Sequence, residues 1–271
     1  MSASTPFTFC PRSPVLGEVS NRAQPCVTAD GRLKNTEAWS PLVRWEDYID
    51  LRQPITFVQV GAHQGHDPND PIWAYTSRCN WRGLVIEPTA ETFSKLCTNY
   101  ASRPLVRPLR AALSDFTGVG KMQIVKQFCR PGECNLLQPL EARRRNWWRN
   151  RAGTNATQEV AVMTLARVWE ELRAWASVGG STLAGVDVLI VDVEGNERSV
   201  FKPDLPEPRP RLIMWEHKNQ RPADFAAIDD RLRAQGYRSL TNTLGGRWKR
   251  NVTSGERSQL PGGDSLYTRE T

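Results

Sequence analysis

Ile55-Thr56-Phe57-Val58-Gln59-Val60-Gly61-Ala62-His63-Gln64-Gly65 is the stretch on which the fold turns. ITFVQV is almost continuously apolar or β-branched and is bounded by Pro54 and Gly61, the pattern of a strand buried on both faces of a parallel sheet. The two glycines that follow bracket a turn where bare backbone can approach a ligand, and a helix N-terminus beyond it would favour a carboxylate or phosphate. By itself the G-x-x-x-G spacing is equally consistent with a plain strand-to-helix turn.

Outward from this stretch the pattern repeats. GLVIE, ending at Glu87, reads as a second strand. Pro88 follows, then TAETFSKLCTNY, whose Phe93, Leu96, Cys97 and Tyr100 fall at helical spacing behind Thr89 as N-cap. LVRPLRAAL is a third strand candidate. TLARVWEELRAWA is a helix with Leu165, Val168, Trp169 and Leu172 on one face, and VDVLIVDV is the most continuous apolar strand. RLIMWEH is a further strand, and PADFAAIDDRLRAQG a helix between Pro222 and a Gly236 C-cap. Strands alternating with helices imply a doubly wound α/β architecture with a mostly parallel sheet. The tail runs GYRSLTNTL and DSLYTRE have no helix between them and suggest a final antiparallel strand closing one edge. PDLPEPRPR is a stiff connection.

Residues 1–40 show no periodicity and read as an arm. Residues 41–271 form one enlarged domain with an insertion at about 120–157, consistent with a length of 271 residues. Thirty-six Lys and Arg against 29 Asp and Glu leave a net charge of +7, which favours anionic ligands. Much of that excess sits in EARRRNWWRNR, where Arg143, Arg144, Arg145, Arg149 and Arg151 interleave with Trp147 and Trp148. A solvated face, a clamp for an acidic or glycan substrate and a nucleic-acid contact are the three readings of this segment, and the last ranks lowest because no second basic stretch supports it. No apolar run approaches the roughly 20 residues of a membrane span. The N-terminus has no basic start with an apolar run behind it, so a cytoplasmic location and reduced structural thiols are expected for the six cysteines. With three histidines and no C-x-x-C pair, no metal site is expected.

Ligands of such sheets bind outside the carboxyl ends of the strands. Glu87 stands there, 26 positions after Gly61, where a carboxylate can accept both hydroxyl protons of a nucleoside ribose. A dinucleotide would need a G-x-G-x-x-G turn for its pyrophosphate; with Ala62, His63 and Gln64 between the two glycines, a methionine-bearing nucleoside without phosphate fits better. Asp192 and Glu194 lie two residues apart at the end of VDVLIVDV and must be paired or wetted. In the structural alternative Glu194 merely caps the next turn and Glu197 faces solvent. His217 ends the next strand and can act as a general base near neutral pH, with a structural histidine the equal alternative. Glu216 alternates to the opposite face and is the weaker candidate; His63 and His66 read as lining residues.

VQVGAHQG, WRGLVIEP, RAALSDFTG, IVDVEGNE and MWEH, in this order and spacing, resemble the FkbM-type methyltransferases, a branch of the class I S-adenosylmethionine-dependent enzymes. The resemblance runs from about Phe57 to His217. It implies a Rossmann-like fold with S-adenosyl-L-methionine as cofactor. Gln59, Gly61, Ala62, His63 and Gly65 would form the cofactor turn, with Glu87 and Pro88 at the ribose and Ala112, Leu113 and Ser114 near the adenine. Asp192 and Glu194 would border cofactor and substrate. His63 and Gln64 stand where Asn-Asp is usual in similar sequences, and Gln59 where an acid is common in the wider superfamily.

The absence of N-P-P-Y or D-P-P-Y after Val191 implies an oxygen acceptor, a hydroxyl on a small molecule or glycan, with His217, Asp192 and Glu194 as the catalytic candidates. An NAD-dependent oxidoreductase and a non-catalytic nucleoside-binding protein of the same fold remain the alternatives. The sequence does not give the oligomeric state.

Overall fold

The computed structural model describes residues 7–10, 43–66, 70–124, 136–137, 157–178, 184–217, 220–240 and 264–269. Its strands are β1 (Thr8–Phe9), β2 (Ile55–Val60), β3 (Trp81–Ile86), β4 (Val106–Arg110), β5 (Ala112–Leu113) and β6 (Gly118–Gln123), followed by β7 (Leu136–Leu137), β8 (Thr157–Met163), β9 (Val188–Val191), β10 (Leu212–Glu216), β11 (Tyr237–Ser239) and β12 (Asp264–Arg269). The helices are α1 (Trp73–Arg78), α2 (Ala90–Asn99), α3 (Leu165–Val178), α4 (Glu197–Val200) and α5 (Pro222–Ala234).

Eight strands form one mixed sheet in the order β1-β4-β3-β2-β9-β10-β12-β11. From β4 to β10 the neighbours are parallel. The parallel part of the sheet starts at β2, steps outward through β3 to β4, and returns to place β9 on the other side of β2. The crossovers after β2 and after β9 therefore leave in opposite directions, which opens a crevice at their carboxyl ends.

Alternation along each strand divides the core in two. Ile55, Phe57, Val188, Ile190, Leu212 and Met214 pack with Ala74 and Tyr75 of α1 and Phe93 and Leu96 of α2. Val58, Val60, Leu189, Val191, Ile213 and Trp215 pack with the other face's helices: α3 through Leu165, Val168, Trp169 and Leu172, α4 through Val200, and α5 through Ile228 and Leu232. The sheet is thus covered on both sides, as the strand–helix alternation predicts. Both predicted helical stripes are core, and Gly236 takes the positive φ of 86° expected of it past the end of α5.

Several expectations change. LVRPLRAAL is two strands: β4 stays in the main sheet, while β5 leaves it to pair with β8 in a second sheet ordered β5-β8-β6-β7 around Ala112, Met122, Val160 and Val162. The final strand is antiparallel, as expected, but lies between β10 and β11 instead of at the edge. Ser265, Leu266 and Tyr267 are fully buried there, and such a segment is too apolar for an open edge.

The opposite edge is closed by the arm. Thr8 and Phe9 pair antiparallel with Arg110 and Leu109, and the Arg107 guanidinium lies 3.4 Å from the centroid of the Phe9 ring. Cys10 is disulfide-bonded to Cys97 of α2, and Cys79 is also disulfide-bonded. The expectation of reduced thiols fails at these positions because Cys10 and Cys97 are 87 residues apart and only the folded sheet brings them together. The Arg143–Arg151 segment lies outside the described residues.

A two-residue strand is marginal alone, so the disulfide is what holds the arm. Replacing Cys10 and Cys97 together by Ser should lower unfolding stability by about 2–4 kcal/mol. Urea denaturation under oxidising conditions checks this, and an unchanged midpoint would count against a stabilising clip.

Candidate functional site

The turn after β2 is built from left-handed backbone: Gly61, His63 and Gly65 have φ of 78°, 50° and 71°. The N–H groups of Gly61 and Ala62 both donate to the Ile86 carbonyl, at 2.9 and 3.0 Å, fastening the turn to the end of β3. A β-carbon on Gly61 would overlap the carbonyl oxygen of Asp192, and one on Gly65 would run into Tyr100 and Leu96. Glycine at the first position thus lets the turn close on the segment after β9; at the second it lets α2 pack against the turn. Asn99, at the end of α2, donates from Nδ2 to the Gln64 carbonyl at 2.8 Å.

Glu87 sits at the mouth of this turn with 4% of its surface exposed. Its Oε1 accepts the Thr89 N–H at 3.1 Å and the Thr89 hydroxyl at 2.6 Å, and the carboxylate also accepts the His63 N–H. Thr89 occupies the N-cap position of α2, yet its hydroxyl makes no cap and turns to Glu87 instead. Burial pushes the Glu87 carboxyl up to about 7, against the pull of these donors.

Across the crevice, Asp192 donates its N–H to the Val60 carbonyl at 3.0 Å. Carboxylate oxygens of Asp192, Glu194 and Glu216 lie within 4.8 Å of one another. The Asp192 carboxyl is held well above the usual carboxylate range by enclosure within the protein, then by repulsion from Glu216, Glu194, Glu197 and Asp264. Its side chain is nonetheless open to solvent. The neighbouring carboxylates disfavour its charged form. The cluster suits positive charge, whether on a ligand or as a hard cation held by oxygen.

The backbone beneath this cluster is unusual. Glu194 has a φ of 54° and Gly195 of 102°, and a non-glycine residue in that region is strained. Glu197, fully buried, holds the turn: its Oε1 accepts the N–H groups of Val193 and Gly195, both at 3.1 Å. Burial raises its carboxyl to about 7. Asn196 donates from Nδ2 to the Leu113 carbonyl at 2.9 Å, which ties this turn to Ala112, Leu113 and Ser114, all buried.

His217 follows β10, half-buried, edge-on to the Trp215 and Phe225 rings at 6.0 and 5.3 Å between centroids. Its Nδ1 lies 3.1 Å from the hydroxyl of Ser265, a fully buried residue of β12. Desolvation lowers its pKa, so the neutral imidazole persists to lower pH than usual.

The fold thus brings the Gly61 turn and Glu87 together on one side, and Asp192 and Glu194 together on the other, with Ala112–Ser114 tied in through Asn196. His217 stands outside the carboxylate cluster, and Glu216, ranked below it from strand alternation, is in it. Gln59 is buried and donates from Nε2 to Asp70 Oδ2 at 3.0 Å. Asp70 in turn accepts the N–H groups of Ile72 and Trp73 ahead of α1. The exposed ring of His66 packs on Trp73. Glu197 is fully buried, which removes the purely structural alternative in which it faces solvent; the second glutamate of Asp192-Val-Glu-Gly-Asn-Glu197 is the one sequence signal for its role.

The family model of the methyltransferase FkbM domain matches residues 59–239. No curated protein sequence matches the chain significantly. Among solved structures, the methyltransferase FkbM of Methylobacillus flagellatus KT is 12% identical with a TM-score of 0.42, over 85% of this chain and 48% of that one. This chain therefore spans about half the length of that protein. The Methanococcus jannaschii fibrillarin pre-rRNA processing protein is 12% identical with a TM-score of 0.37, covering 85% of this chain and 69% of its own. The ribosomal protein L11 methylase of Lactobacillus delbrueckii subsp. bulgaricus is 12% identical with a TM-score of 0.33, covering 81% and 72%. The family match takes in well over half of the sequence, from Gln59 at the end of β2 through the glycine turn and both acidic loops to Ser239 in β11: the chain belongs to the FkbM methyltransferase family.

Proposed function

We propose that the chain is an S-adenosylmethionine-dependent O-methyltransferase on a Rossmann-like scaffold, acting on a hydroxyl of a small molecule or glycan. The observation that carries this reading is Glu87, a buried carboxylate after β3 that faces the glycine turn and whose bonds come from the neutral donors of Thr89 and His63. Such a carboxylate suits two ribose hydroxyls. S-adenosylmethionine, when bound, supplies a methyl carbon on a positively charged sulfur. The acidic cluster of Asp192, Glu194 and Glu216 suits that positive end, while Gly61 and Ala62 offer close backbone approach and Ala112, Leu113 and Ser114 would flank the base.

On the acceptor side, His217 is the group we assign to the hydroxyl proton. With Nδ1 against the Ser265 hydroxyl, Nε2 is left to accept a proton, and the lowered pKa keeps it in the accepting form at neutral pH. Holding donor carbon and acceptor oxygen in line supplies most of the rate in this scheme. Asp192 is followed by Val-Glu-Gly and not by the N-P-P-Y type of sequence, which supports oxygen over a base amine. The basic excess supports an anionic acceptor; a nucleic acid is not part of the proposal. No helix among the described residues is long and apolar enough to cross a membrane. The cytoplasm expected from the N-terminus is set against the Cys10–Cys97 bond, which is of a kind that persists in oxidising compartments, and we take the disulfide as the better guide.

Two measurements test the reading. Glu87→Ala should weaken S-adenosylmethionine binding by about 10- to 150-fold in calorimetry. Because Glu87 holds its proton up to about pH 7 and must release it to accept both hydroxyls, donor affinity should fall by about tenfold per pH unit below that point. In Glu87→Gln this dependence should vanish. Equal affinity in the folded Ala variant, or tighter binding of NAD than of S-adenosylmethionine, would overturn the assignment. His217→Asn should keep donor affinity and lower turnover by about 100- to 10,000-fold; near-normal turnover would move the proton to another group.

A further inference from the structure

The residues assigned to chemistry lie at the carboxyl ends of two separate strands, β9 and β10, and on the loops that follow them. Glu197 touches both. One carboxylate oxygen accepts the N–H groups of Val193 and Gly195, on either side of Glu194. The other accepts the side-chain amide of Gln220. The N–H of Gln220 in turn donates to the His217 carbonyl at 2.9 Å, closing the turn that leaves β10. A fully buried, charge-bearing group is costly unless every oxygen is bonded, and among the described residues its bonds run to these two loops and to its own backbone N–H.

We propose that Glu197 is a positioning residue that fixes the Asp192–Glu194 loop and locks it to the Glu216–His217 loop, so that the acidic and imidazole groups face the crevice in one arrangement. The inference rests on the methyltransferase reading of the site. Glu197 itself reaches no reacting atom. It holds Glu194 in its left-handed conformation by gripping the amides that flank it, and it transmits that position to His217 through Gln220.

Three variants test this: Gln220→Leu, Glu197→Gln and Glu197→Ala. The readouts are hydrogen exchange of the Val193 and Gly195 amides, the ring proton resonances of His217, S-adenosylmethionine affinity, and turnover on whichever of a panel of phenols, polyols and oligosaccharides the wild type methylates. Gln220→Leu cuts only the link between loops. It should leave both amides protected and donor affinity within about twofold, shift the His217 resonances, and lower kcat by about tenfold, on the scale of a sub-ångström misplacement. In Glu197→Ala both amides should exchange at least about 100-fold faster, with kcat falling by a similar factor, and Glu197→Gln should restore a large part of both.

Unchanged His217 resonances and kcat in Gln220→Leu overturn the lock. Full amide protection in a folded Glu197→Ala overturns the grip. If Glu197→Ala does not fold, Gln220→Leu and Glu197→Gln decide. A wild type that binds no S-adenosylmethionine counts against the donor reading, while amide exchange and the His217 resonances still decide the role of Glu197.

Discussion

Everything at the carboxyl edge of the sheet depends on one close approach of backbone to backbone, where Gly61 leaves β2 directly against the carbonyl of Asp192 leaving β9. An approach this close is possible because Gly61 carries no side chain, for a β-carbon there would overlap the Asp192 carbonyl oxygen. The contact brings the glycine turn within reach of the acidic loop. It also fixes the floor of the crevice: the Ile86 carbonyl takes two N–H groups from one side, and the Val60 carbonyl takes the Asp192 N–H from the other.

Around that floor a single device recurs. Asp70, Glu87 and Glu197 are all buried carboxylates, and each accepts two backbone N–H groups from a tight turn next to it. Asp70 sets the entry to α1, Glu87 the glycine turn and the entry to α2, and Glu197 the acidic loop and α4. Burial lifts their carboxyls to about 6, 7 and 7. A carboxyl raised on folding keeps its proton longer folded than unfolded, so stability from these groups is greatest below about pH 4 and is lost as pH climbs toward 7. Rigid turns at the site are thus obtained at the expense of stability at neutral pH, a trade typical of sites held ready for a ligand.

What the sequence disclosed follows the strength of its periodicity. The β2 run is read with its observed bounds because burial on both faces leaves it apolar but for Thr56 and Gln59, themselves buried, and the stripes of α2 and α3 are equally plain. The second sheet is not legible: Gly118-Val-Gly-Lys-Met-Gln mixes two glycines and a lysine into a strand whose partners, β7 and β8, lie within and beyond the insertion. α1 is six residues long, too short for a helical stripe. At the site, Gly61 and Glu87 declare themselves through spacing. Glu216 and Glu197 do not: at a strand's last residue alternation is a poor guide to which way a side chain turns, and an acid in a four-residue helix is ordinarily wet.

The Cys10–Cys97 bond has a topological outcome of its own. It makes the chain between those residues a covalent ring that contains β2, the glycine turn, α1, β3 and Glu87. Asp192, Glu194, Glu216 and His217 all fall outside it. One wall of the crevice is therefore a closed loop of polypeptide and the other an open chain. A single backbone break between Cys10 and Cys97 leaves both pieces joined, whereas a break between Cys97 and Asp192 parts the two walls unless another disulfide spans it.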